Sequence, residues 1–490
     1  MPVSKEFRLA AHRAMDLALD HLDGLTNQPV FKPMSAEERE AILSQPLPHG
    51  PFAANAILSL AQLQILPHPM GNGHPRFFGY VNSPPEPMGI LGDLLAAAIN
   101  PSCAGGDHAA IYLERCCVRW LMELVGFTTH GSMGLLVSGG SMASLTCLAV
   151  ARHWAAAADG WNVREEGLQS GRAQFVLYLS SEGHSCVRKA AELLGIGAAG
   201  VHVIPVNDRF EIDVASLKAA IAEDRREGKR PFCVVASAGT AGTGAIDPLE
   251  EIADLCEAEG LWLHVDGAYG AIAAVDPECQ PRLDAIGRAH SLAIDAHKWL
   301  SVPVECGCAL VRDGAVLRNA FSLVPPYLRT EEGKGFGGLP WFSEYGFQQT
   351  RGFRALKLWM TLLHRGRVGI TEIVSRHRAL ARHMASIIDS CLDLERLAPV
   401  ELSIVCFRYA PTNLQGNEEE LNRINKRVME IVQSGGDAFL SSTVLNGRFA
   451  LRACVLHYAT TAEDAAALIA AVRRSGESLT RGEPDARGLK

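Results

Sequence analysis

The chain has 490 residues, with 46 Lys and Arg against 54 Asp and Glu, for a formal net charge of −8 at pH 7. That length supports a large core divided among two or three units, while the acidic balance and the lack of a dense basic run argue against nucleic acid and anionic membrane as partners. No segment approaches the roughly 18 consecutive apolar residues that span a bilayer.

The opening stretch Met1–Ala10 lacks the apolar centre of a signal peptide, which leads to the expectation of a cytoplasmic protein. Thirteen cysteines, an odd number scattered through apparently structured segments, suit reduced thiols. Cys306-Gly-Cys308 and Cys116-Cys117 lack the spacing and the second pair of a zinc site, so no metal is expected.

Residues 4–23 and 52–66 carry apolar positions at helical spacing, with proline-rich connectors between them, and read as a helical arm over residues 1–84. Over residues 85–360 short apolar runs alternate with helix-like stretches. Strands are predicted at Leu135–Val137, Phe175–Leu179, Val201–Ile204, Phe232–Ala236, Trp262–Val265 and Ser291–Ile294. Alternation of this kind implies an α/β unit with a mostly parallel central sheet covered by helices. Residues 361–490 read as a smaller α+β domain, with a helix near 370–390, a strand at 401–407, a helix at 417–433, strands at 437–443 and 447–456, and a helix at 461–474.

In a parallel sheet, ligands collect beyond the carboxyl ends of the strands, so the polar residues that follow each run are the candidates. Val137-Ser-Gly-Gly-Ser-Met-Ala-Ser144 opens a helix after a strand; it offers free amides, Gly140 and Ser141 to a phosphate, or is a plain helix cap. Ser181-Glu-Gly-His184 places an imidazole where it could stack on a flat ring, or is a capping loop with an incidental histidine. Thr240 lies on a loop of small residues, where a hydroxyl could reach a ligand or simply belong to a turn. Asp266 ends an apolar run, where a carboxylate is expensive without a cationic partner. A protonated pyridine nitrogen is one such partner, and a structural arginine is the alternative. Lys298 follows the last run. Burial there favours the neutral amine that attacks an aldehyde to form a Schiff base, although a lone lysine would more often snorkel to the surface.

Together these residues describe a pyridoxal phosphate site. The ordered motifs HPRFFGY, SGGSMASLTCLAVAR, EGHSCVRKA, SAGTAGTGAID, HVDGAYG, DAHKWL and FRALKLW, spread from about residue 74 to 365, resemble the group II pyridoxal-phosphate decarboxylases, the aromatic amino acid and glutamate decarboxylase family of fold type I.

The resemblance implies pyridoxal 5'-phosphate as cofactor, with Lys298 as its Schiff-base lysine, Asp266 against the ring nitrogen and His184 over the ring face. It places Gly140, Ser141, Asp295 and His297 near the phosphate, with Thr240 and Ala268 lining the cofactor. It also implies a mobile catalytic loop over about 325–340, in which Tyr327 protonates the carbon from which carbon dioxide has left. Tyr80, Ser83, Ser102 and Ala104 are the implied substrate-facing residues, the last two on a stretch supplied by the partner subunit of a homodimer whose active site lies at the interface. The expected reaction is decarboxylation of an L-amino acid, aromatic by first choice, to an amine. Val81 and the small residues of 100–107 reshape the pocket. The alternatives are an oxidative aldehyde synthase or deaminase on the same scaffold, and a catalytically silent binding homologue.

Overall fold

The computed structural model describes residues 3–169, 171–323 and 341–481. Its chain divides into two compact units, one of Met1–Pro84, Leu380–Leu397 and Ile404–Lys490, the other of Pro85–Ala379 and Ala398–Ser403.

The second unit is built on a seven-stranded sheet: β1 (Met133–Val137), β2 (Phe175–Ser180), β3 (Val201–Ile204), β4 (Arg230–Ser237), β5 (Trp262–Asp266), β6 (Ser291–Asp295) and β7 (Gly307–Val311). The spatial order is β1-β7-β6-β5-β4-β2-β3. Pairings among β3, β2, β4, β5 and β6 are parallel, whereas β7 runs antiparallel to both β6 and β1. Two reversals restore direction, so β1 points the same way as the parallel block. The carboxyl ends of β1, β2, β4, β5 and β6 therefore share one edge, together with the amino end of β7.

The six predicted strands are all present, and β7 is a strand that the apolar pattern did not reveal. All five residues of β6 and of β7 are buried, the pattern of strands covered on both faces. The helix Gly140–Ala158 packs against β6 and β7. Its inner positions are small, with Ala143, Ser144, Cys147 and Ala151 fully buried, which lets the helix axis come close to the sheet.

Buried Arg351 fixes β1 and its surroundings. Its guanidinium donates to the carbonyls of Leu136 (2.6 Å) and Cys103 (2.8 Å), and pairs with Glu114, which accepts the Leu136 amide (2.9 Å). Both ends of the pair are removed from water and make several further hydrogen bonds, the condition under which a buried ion pair is tolerated.

The first unit holds a five-stranded sheet of Phe77–Phe78, Phe439–Leu445, Arg448–Cys454, Ile404–Tyr409 and Leu394–Arg396, in that order. Asn446 (φ 50°) and Gly447 (φ 78°) make the tight turn between its two longest strands, a backbone that Asn-Gly adopts at little cost. Helices Glu418–Gly435 and Ala462–Thr480 pack beside those strands, and helices Lys5–Gly24, Ala36–Leu43 and Ala54–Gln64 precede them in the chain. The helix Arg354–Ser390 is broken at Gly366, where φ is 61°. Among the described residues no helix is long and apolar enough to cross a membrane.

Candidate active site

The site is built at the shared edge of the large sheet. Val137 and Asp295 both pair with Gly307, so the ends of β1 and β6 flank the start of β7. A Cβ on Gly307 would lie 2.4 Å from the Gly139 Cα, and Gly139 itself has φ 130°. Glycine is required at both positions, one for close approach and one for backbone conformation. The helix then starts at Gly140, where a Cβ would sit 2.9 Å from Asp295 Oδ2 and 3.0 Å from the Ala268 Cβ. The start of this 19-residue helix, where backbone amides lack partners within the helix, is thus packed closely against Asp295 and Ala268. Ser141 is exposed beside them.

Asp266 is the last residue of β5, held between Ser237 of β4 and Ala293 of β6. Its Oδ1 accepts the Ala268 amide (3.2 Å) and its carbonyl accepts the Ala238 amide (2.9 Å). The Ala268 carbonyl accepts the Asp295 amide (3.2 Å), which joins the Asp266 turn to the turn carrying the lysine. After β6 the chain folds back on itself, with the Lys298 amide donating to the Asp295 carbonyl (3.1 Å). Lys298 Nζ lies 3.1 Å from Asp295 Oδ2, its side chain 22% exposed. His297 turns Nδ1 toward the Cys306 backbone, and its Nε2 is 3.8 Å from Asp295 Oδ2.

Two stacked rings lie behind these turns. Tyr269, three residues past Asp266, stacks on Trp299, the neighbour of Lys298 (5.1 Å, 12°), and Trp299 Nε1 donates to His377 Nδ1 (3.0 Å).

His184 follows β2 as the cap of helix Ser185–Leu193; its Nδ1 accepts the Cys186 amide (3.3 Å) while the residue stays exposed. The Cys186 thiol is pushed up to about 12, first by burial and then by the charge of Asp266. It is an unreactive thiol at the site, which the motif reading did not single out.

Thr240 is turned into its own loop. It is 2% exposed, its hydroxyl meets the Thr243 hydroxyl at 3.1 Å, and it accepts the Ala245 amide at 3.2 Å. The loop is closed at its base by buried Asp247, which accepts the amides of Ile212 and Ser237 and is pushed up to about 7, chiefly by burial.

His264, on β5 two residues before Asp266, is fully buried and lies 2.9 Å from the Ser291 hydroxyl, which also accepts from Trp262 Nε1 (2.8 Å). Burial pushes His264 down to about 4 from an ordinary 6.5. Between those two values the unfolded chain binds a proton that the folded chain refuses, so stability is present above about pH 6.5 and is lost as pH falls toward 4. Urea midpoints measured from pH 7 to pH 4.5 should fall, and His264→Gln should flatten part of that slope. An unchanged slope in the variant would refute the assignment.

The implied substrate residues fall in different units. Tyr80 and Ser83 belong to the first. Tyr80 has φ 56°, its amide donates to Ser441 Oγ (3.3 Å), its carbonyl accepts from Arg452 (3.0 Å), and its ring is half exposed near Phe439. Ser83 is buried, and its carbonyl accepts from Asn72 (2.8 Å). In the second unit Ser102 is exposed, and the Ala104 carbonyl accepts the Ser343 amide (3.0 Å). Tyr327 and the 325–340 loop lie outside the described residues. Among the described residues no cluster of His, Cys, Asp and Glu could hold a metal, and all thirteen cysteines are free thiols.

Residues 39–410 match the family described as the pyridoxal-dependent decarboxylase conserved domain. The chain is 32% identical to an aromatic-L-amino-acid decarboxylase of Bacillus atrophaeus, over 98% of both chains. It is 29% identical to a phenylacetaldehyde synthase of Petunia hybrida, over 92% of this chain and 90% of that one. Among solved structures, an Oryza sativa TDC with PLP and tryptamine superposes with a TM-score of 0.90 at 25% identity, covering 98% of this chain and 99% of that one.

Proposed function

The chain belongs to the pyridoxal-dependent decarboxylases, and from that premise we propose that it converts an aromatic L-amino acid to the corresponding amine and carbon dioxide. Its cofactor is pyridoxal 5'-phosphate and its architecture is fold type I. The residues fit that group. Gly139 and Gly140 bring the helix start close against Asp295 and Ala268, and Lys298, the strand-end carboxylates Asp266 and Asp295 and the exposed imidazole of His184 lie along the same edge of the sheet. When bound, pyridoxal phosphate supplies an electron-withdrawing ring that accepts the electron pair of the breaking Cα–carboxylate bond.

Around it each residue has a distinct task. Lys298 supplies the amine that holds the cofactor aldehyde between turnovers. Asp266 keeps a negative charge opposite the ring nitrogen, and the rigid hydrogen bonds of its turn spare it any reorganisation as charge develops. His184 offers an uncovered imidazole face, and the amides of Gly140 and Ser141 hold the phosphate. Ala268 closes the floor beside Gly140. Tyr327 delivers the proton to the substrate carbon after decarboxylation. The observation that carries this reading is the meeting of Lys298, Asp295 and the Gly139-Gly140 turn where β1, β6 and β7 end or begin.

For the substrate, support comes from the aromatic-L-amino-acid decarboxylase at 32% identity. The assembly we infer is a cytoplasmic homodimer whose active site takes Ser102 and Ala104 from the partner subunit, with Tyr80 and Ser83 also facing the substrate. Exposed Phe7, Leu9, Leu19, Ile57 and Leu63 on the first 84 residues suit such an interface. Aldehyde formation is the second reading, raised by the phenylacetaldehyde synthase at 29% identity. Product analysis with tyrosine, tryptophan and phenylalanine separates the two. Equimolar amine and carbon dioxide without peroxide supports decarboxylation, whereas aldehyde with ammonia and peroxide overturns it.

A further inference from the structure

We propose that Asp295 is the counter-ion of Lys298 whenever that lysine is a free amine, and that it is not a ligand of the cofactor phosphate; the inference rests on Lys298 being the cofactor lysine. Asp295 is 4% exposed. Its Oδ2 lies 3.1 Å from Lys298 Nζ, while Oδ1 is buried without a hydrogen-bond partner. The same carboxylate faces the first turn of the Gly140 helix, where Oδ2 would be 2.9 Å from a Cβ on Gly140. It therefore borders the proposed phosphate cradle.

Position alone suggests a phosphate contact, but the chemistry points the other way. An ionised carboxylate only accepts hydrogen bonds, and a phosphate dianion likewise offers only acceptors. Setting them face to face offers neither carboxylate oxygen a donor and adds repulsion between like charges. The Lys298 ammonium has three donors and the opposite charge. The pair is local, because the hydrogen bond from the Lys298 amide to the Asp295 carbonyl folds the turn that brings the two side chains together. Asp295 thus acts through Lys298 as a positioning residue. It holds the lysine side chain in place when the substrate amine displaces it.

The test compares the full-length wild type with Asp295→Asn, which keeps the shape and removes the charge, both stripped of cofactor. Lys298 labelling by acetic anhydride at pH 8, read by peptide mass spectrometry, should be about tenfold faster in the variant, because Nζ is no longer tied into an ion pair at 3.1 Å. The ratio of pyridoxal to pyridoxal phosphate dissociation constants should rise, since an amide can donate to phosphate and a carboxylate cannot. An unchanged labelling rate overturns the proposal, and so does a lower ratio. Asp295→Ser, checked by circular dichroism, should give the same faster labelling if Asp295→Asn fails to fold. Wild type that binds the cofactor without using Lys298 would overturn the Lys298 reading itself, while the labelling comparison would remain interpretable.

Discussion

Lys298→Ala protein is expected to purify without the visible, borohydride-sensitive chromophore of the wild type, and to form amine about 10²- to 10⁴-fold more slowly, the range lost with a positioned acid–base group. The expectation follows from where the chain puts the amine. β6 is buried along its whole length, and the turn that follows it is fixed by hydrogen bonds from the Ala296 amide to the Cys306 carbonyl (2.8 Å) and from the Ser301 amide to the Lys298 carbonyl (3.1 Å). Trp299, packed on Tyr269, prevents the turn from rotating. Lys298 extends from this fixed turn to within 3.1 Å of Asp295 Oδ2, at the edge where the Gly140 helix begins. Lys189, which is exposed on the helix after β2, has no such constraint and should not substitute. A chromophore that survives in Lys298→Ala would remove the basis of the proposed mechanism.

Asp266→Asn should keep the chromophore and lose about 10²- to 10³-fold in turnover, the usual cost of one preorganised electrostatic group. Asparagine preserves an oxygen for the Ala268 amide, so the turn should survive and only the charge be lost. The effect is expected to be large because the charge is held at the end of a central strand, fixed between β4 and β6. Its reach is visible in the neighbouring Cys186 thiol, which it pushes in the same upward direction as burial does. Absorbance titration and steady-state kinetics on the same preparation make the check. Near-wild-type turnover in a fully loaded variant would contradict a role for Asp266 opposite the ring nitrogen.

Strands, turns and the polar residues after them were legible for a shared reason. A strand buried on both faces must be a continuous apolar run, and a carboxylate or lysine placed right after such a run stands out. Trp262–Asp266 and Ser291–Asp295 both show this. β7 escaped because it begins at a glycine inside a cysteine pair; Cys306-Gly-Cys308 reads as that pair until Gly307 is seen beside Gly139. The direction of the Thr240 hydroxyl was not legible either, because Thr243, Ala245 and Asp247 decide how the loop closes on itself. Tyr80 depends on partners some 360 residues away, Phe439 and Ser441, and no local pattern announces such pairing. For Asp295 the location was readable from DAHKWL, but the approach of Lys298 Nζ to 3.1 Å and the bare Oδ1 were not.

The most direct test of the account is to reduce the loaded wild-type enzyme with borohydride, digest it, and locate the cofactor-bearing peptide by mass spectrometry. The account predicts one modified peptide, with the reduced pyridoxyl group on Lys298. A group found on another lysine, or none at all, would contradict it.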